Sequence, residues 1–130
     1  MINDFYTILQ QQTETCSGVF FVELRSDCQV YRGHFPEKAI SPGVCSIQMI
    51  KECGERVINS KISFRMIKQC RFTLLLSPAD TPRLTVYVSM QPAEQQCEEQ
   101  FAEKRYNLES KIMYEDSVAL TLKGIVAVHD

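Results

Sequence analysis

Residues Tyr31 to Lys51 read YRGHFPEKAISPGVCSIQMIK and hold His34, one of only two histidines in the 130-residue chain. Gly33 permits tight backbone, Pro36 fixes the chain, and Pro42-Gly43 closes a second turn just before a helix can begin. Such punctuation holds an imidazole in a fixed place. There it can exchange a proton near neutral pH, or cap the loop through a backbone hydrogen bond. Gln48 and Glu52 follow, four residues apart and therefore on one face of a helix, with about 5 to 6 Å between their Cβ atoms. His129, beside the carboxyl terminus, has no comparable context and is expected to be exposed.

The elements that must position these groups read as follows. Asn3 or Asp4 caps a short helix through Phe5, Ile8 and Leu9 that ends in the polar stretch Gln10 to Thr15. Gly18 starts VFFVELRSD, rich in β-branched and aromatic residues, and a second run, Cys28 to Tyr31, is expected to pair with it. After Pro42-Gly43 the period changes: Ile47, Ile50, Gly54, Val57 and Ile58 share one helical face, which predicts a helix over 44–59. Ser41 or Ser46 is its candidate cap and Asn59-Ser60 its stop. Ile62 to Leu76 is a long extended candidate. Leu84, Val86, Val88 and Met90 alternate with polar neighbours, as do Tyr106, Leu108, Ser110, Ile112 and Tyr114. Glu115-Asp116-Ser117 turns into a last strand, Val118 to Val128, and Gln91 to Glu103 is a charged connector. One helix and about four long antiparallel strands make an α+β plan in which the sheet must curl around the helix.

Composition sets outer bounds. The length and 45% hydrophobic content suit one domain over residues 1–130 with a core of its own. A formal charge of −2 gives no global basic field for nucleic acid. No signal-peptide pattern or apolar run of spanning length is present, so a cytoplasmic protein without membrane insertion is expected. The six cysteines are read as free thiols rather than a disulfide framework, and with no C-x-x-C no metal site is expected.

Gly33-His34-Phe35-Pro36, then Pro42-Gly43-Val44, then a helix opening Cys45-Ser46-Ile47-Gln48, resembles the signature of the 3-hydroxyacyl-(acyl carrier protein) dehydratases of fatty acid synthesis. The resemblance implies the hotdog fold, a curled antiparallel sheet around one long helix, assembled as a homodimer with each active site at the interface. It implies that His34 removes the C2 proton of a 3-hydroxyacyl thioester and that the Gly43 N–H, at the helix start, binds the thioester carbonyl. Phe35, Pro36, Pro42, Val44 and Met49 would line the substrate's path, and no cofactor or metal is needed. The partner implied is acyl carrier protein with its phosphopantetheine-linked acyl chain.

The sequence departs from the family at one decisive place. Gln48 stands where the family carries the glutamate or aspartate that protonates the departing hydroxyl, and an amide cannot deliver that proton. Two readings of Glu52 follow. It takes over the acid role one turn along, with Gln48 orienting substrate or water, or it is a solvated helix residue paired with Arg56. Between Arg56 and Ala79 stand five basic residues and no acidic one, so Arg65, Lys68 and Arg71 are candidates for docking an acidic carrier protein, although regular strand parity would split them between faces. The alternatives are an acyl- or carrier-binding hotdog that has lost its acid, a subunit of a heterodimeric dehydratase, and a hotdog thioesterase.

Overall fold

The computed structural model describes residues 5–26, 43–93 and 104–129. Its elements are strands β1 (Tyr6–Thr13) and β2 (Ser17–Leu24), helix α1 (Gly43–Ile58), and strands β3 (Lys61–Phe72), β4 (Arg83–Pro92), β5 (Arg105–Tyr114) and β6 (Ser117–His129). The strands form one antiparallel sheet in the order β1-β2-β4-β5-β6-β3, so β1 and β3 are its edges.

The alternation expected in β4 and β5 gives the sheet its buried face. Leu84, Val86, Val88 and Met90 point inward from β4; Tyr106, Leu108, Ser110 and Ile112 do so from β5. Helix α1 lays its own apolar stripe across that face, burying Cys45, Met49, Ile50, Cys53 and Val57. Met49 and Ile50 are fully buried, each contributing about 1.5 to 3 kcal/mol of transfer free energy. The helix packs tightly on that face at Gly54, where an added Cβ would lie 3.3 Å from both Ile62 Cδ1 and Leu108 Cδ1.

Helix α1 begins and ends close to expectation. Ser46 is buried within its first turn and is therefore not the cap, and Ser41 lies outside the described residues. At the other end Asn59 adopts φ 56° and Ser60 N–H donates to Glu55 O at 3.1 Å, the left-handed stop that lets the chain reverse into β3. Glu55 ties the joint by accepting from Ile62 N–H at 3.0 Å. Asparagine tolerates this backbone and alanine does not, so Asn59→Ala should cost about 1 kcal/mol while Asn59→Gly stays within a few tenths. Thermal unfolding of the two variants checks this.

Two expectations need correction. The amino-terminal segment is a strand, not a helix. Tyr6 to Thr13 pairs with β2, and the pairing slips between Ile8 and Gln10, leaving Leu9 as the extra residue of a bulge. Leu9 is half exposed there, so Phe5, Ile8 and Leu9 do not share the helical face that their spacing suggests. Strand β2 has β1 on one edge and β4 on the other; the run Cys28 to Tyr31 lies outside the described residues. The long strand candidate Ile62 to Leu76 stops at Phe72. No helix among the described residues is long and apolar enough to cross a membrane.

Candidate active site

The first three turns of α1 face strand β1. Between them lies a groove of about 310 Å³, walled by Val44, Cys45, Gln48, Met49 and Glu52 from the helix and by Phe5 and Tyr6 from the strand. Positions 44, 48 and 52 recur every four residues, which stacks them along one side of the helix. Val44 is 71% exposed at the mouth, whereas Met49 is fully buried in the wall.

Glu52 is the organising group. Tyr6 Oη donates to its Oε1 at 2.6 Å, and Gln48 Nε2 donates to its Oε2 at 3.0 Å. A carboxylate only accepts, so the Gln48 amide must present its NH₂ and turn its carbonyl oxygen away. Arg56, the expected partner of Glu52, reaches instead toward Gln11 Oε1 at 3.5 Å. Burial pushes the Tyr6 phenol well above its ordinary range, with the Glu52 hydrogen bond adding to the shift, so Tyr6 is a neutral hydroxyl. One residue along the helix, burial pushes the Cys53 thiol up to about 12, which keeps it protonated and unreactive.

Gly43 opens α1 on the other flank. It borders a second groove, of about 490 Å³, formed with Ser46 and Phe72 to Leu76. A Cβ at Gly43 would stand 2.9 Å from Phe72 Cζ, the tip of a half-exposed side chain that would have to turn aside. The first amides of a helix lack intrahelical partners and carry its positive dipole end.

A family model described as ApeI-like, ApeI dehydratase, matches residues 10–111. The chain belongs to the ApeI-like dehydratase family. Curated relatives are 3-hydroxyacyl-(acyl-carrier-protein) dehydratases FabZ. The enzyme from Staphylococcus saprophyticus is 33% identical over 66 residues, 45% of this chain and 46% of the relative. That from Macrococcus caseolyticus is 28% identical over 83 residues, 58% and 56% respectively. The chain thus spans about half the length of the curated relatives it matches. Among solved structures, the dehydratase heterocomplex ApeI:P from Xenorhabdus doucetiae matches with a TM-score of 0.69 at 17% identity, covering 93% of this chain and 96% of that one. Cj0977, a sigma28-regulated virulence protein from Campylobacter jejuni, matches with a TM-score of 0.68 at 9% identity, over 98% and 85%. At these identities the likeness shows the fold, and the fold is the α+β hotdog.

Within this dehydratase-family hotdog, Val44, Gln48, Met49 and Glu52 come together in one groove, and Gly43 stands in the next. His34, Phe35, Pro36 and Pro42 lie outside the described residues. Arg65, Lys68 and Arg71 are exposed on β3. That strand is not regular: its pairing with β6 slips between Phe64 and Met66 and again between Ile67 and Gln69, so Arg65 and Lys68 are each the extra residue of a bulge. His129 is exposed and shares a 2.7 Å hydrogen bond with Ser63 Oγ. Sequence reasoning missed Tyr6. Its signal was available, since a tyrosine beside β-branched Thr7 and Ile8 suits an edge strand, but the helix reading gave its hydroxyl no target.

Proposed function

We propose that this chain, as a single domain over residues 1–130, is a cytoplasmic 3-hydroxyacyl thioester dehydratase acting on acyl chains carried by acyl carrier protein. His34 takes the C2 proton, the C3–O bond breaks as the departing hydroxyl receives a proton from the Glu52 carboxyl, and C2=C3 forms with release of water. The cycle leaves an imidazolium and a carboxylate, which return to their starting states by proton exchange with solvent. The Gly43 N–H stabilises the charge that develops on the thioester oxygen. One observation carries the reading: a carboxyl group stands in the groove one turn beyond the family's acid position, held by the amide that replaced that acid.

The carrier protein is supported by the names of the curated relatives and by the exposed basic residues Arg65, Lys68 and Arg71, which would attract an acidic partner. A homodimer is supported by the edge of β3, unpaired among the described residues, with Met66, Ile67 and Phe72 exposed along it and Leu75 just beyond. A second reading is favoured by the likeness to a dehydratase heterocomplex. In it, this chain pairs with a different hotdog subunit that supplies the carboxylate missing at position 48.

Hydration of an enoyl thioester on acyl carrier protein, the reverse reaction, separates the readings. Activity in the purified native protein that is lost in His34→Ala supports the dehydratase. Silence alone, with activity appearing on addition of a second hotdog subunit, supports the heterodimer, and silence under both conditions sinks both.

A further inference from the structure

The wall that holds Glu52 has two sides. Tyr6 and Glu52 border the apolar groove with Val44 and Met49, and the same two residues border a wider groove of about 740 Å³ with Lys51, Glu55, Arg56 and Lys61. The pair is the partition between an apolar compartment and a charged one. Gln48 lies on the apolar side alone.

We infer that Tyr6 is the positioning residue for Glu52, a hydroxyl that keeps the carboxyl on this partition in both of its protonation states. The inference rests on the dehydratase reading and deepens it. A carboxyl that gives up a proton in each turnover changes from donor to acceptor, and a neighbour that can only donate suits one state alone. The Gln48 amide, which donates through its NH₂ to the carboxylate, must turn its carbonyl oxygen inward to serve the acid. The phenol differs, because Oη donates to the carboxylate at 2.6 Å and can accept from the carboxylic acid without moving. The ring is itself fixed: it is half-buried and stands edge-on to Phe5, with ring centroids 6.3 Å apart. The contact also spans 46 residues, from the edge strand to the helix, and so sets where the start of β1 meets the site.

Displacing a catalytic group by about 1 Å costs on the order of 10²-fold in rate. Tyr6→Phe keeps the ring and removes only the hydroxyl, so kcat for enoyl hydration should fall about 10- to 100-fold with KM within twofold and an unchanged melting temperature. Because Tyr6 acts through Glu52, the double variant Tyr6→Phe with Glu52→Gln should be no slower than Glu52→Gln alone. A readout without substrate accompanies these rates. With the tyrosine Cζ carbons labelled with carbon-13, the signal that vanishes in Tyr6→Phe should move in Glu52→Gln. A Tyr6→Phe variant as fast as an active native protein, rate losses that simply multiply, or a Tyr6 signal unmoved in Glu52→Gln each overturns the inference while the dehydratase reading stands. An inactive native protein overturns both.

Discussion

Glu52→Gln is expected to lower the rate of enoyl-thioester hydration by about 10² to 10⁴-fold, the usual worth of a general acid and about 3 to 5 kcal/mol of barrier. The substitution is nearly isosteric. The new amide oxygen can still accept from Tyr6 Oη, and Gln48 can rotate to offer its carbonyl oxygen to the new NH₂, so both hydrogen bonds of the native arrangement persist. Stability should therefore change by less than about 1 kcal/mol, and an unchanged melting temperature beside a collapsed kcat isolates the lost proton. The companion variant Gln48→Glu tests the same point from the other side. It would set two carboxyl groups about 3 Å apart, where one must hold a proton for the other to ionise. If Glu52 is the acid, Gln48→Glu gains little. Unchanged turnover in Glu52→Gln, or a steep rise in Gln48→Glu, would remove Glu52 from the acid role.

The parts of this fold legible in the sequence are those where one period runs unbroken. Helix α1 announces itself because Ile47, Ile50, Gly54 and Val57 keep a helical spacing between two turns, and β4 and β5 because each buries every second residue without interruption. The misread parts are those with a residue inserted. Strand β1, mostly exposed and bulged at Leu9, shows no sustained alternation that would mark it, and bulges at Arg65 and Lys68 broke the parity by which the basic residues of β3 were assigned to faces. A bulge is set by tertiary pairing, and local pattern carries no mark of it. The site divides the same way. The Gln48 and Glu52 contact follows from helical geometry within one element, whereas Tyr6 joins it across 46 residues, a separation no local window sees. His34, outside the described residues, is legible through its motif alone.

The bulged edge also locates the residue whose change should harm the fold most for its size. Gly124 sits in β6, paired with Leu108 of β5 on one side and Ile67 of β3 on the other. An added Cβ would stand 2.5 Å from the Met66 carbonyl oxygen and 3.4 Å from Ile67 Cα. Both are backbone atoms of the strand that carries the two bulges, so no side chain can rotate away and the strand must move. Gly124→Ala should cost about 2 to 3 kcal/mol by overpacking, well beyond the 0.4 to 1 kcal/mol or so gained from a less flexible unfolded chain. For a chain of this length that is a fall in melting temperature of roughly 10 °C. Lys123→Ala, one residue away and exposed, should change stability by no more than about 0.5 kcal/mol. Because Met66 and Ile67 stand exposed on the outer edge, the same displacement should weaken the homodimer proposed on this edge, which sedimentation at a temperature where both variants remain folded would read. An alanine variant with native melting and native assembly would mean that β3 slides freely past β6, and that the edge offered to a second hotdog is not fixed by this contact.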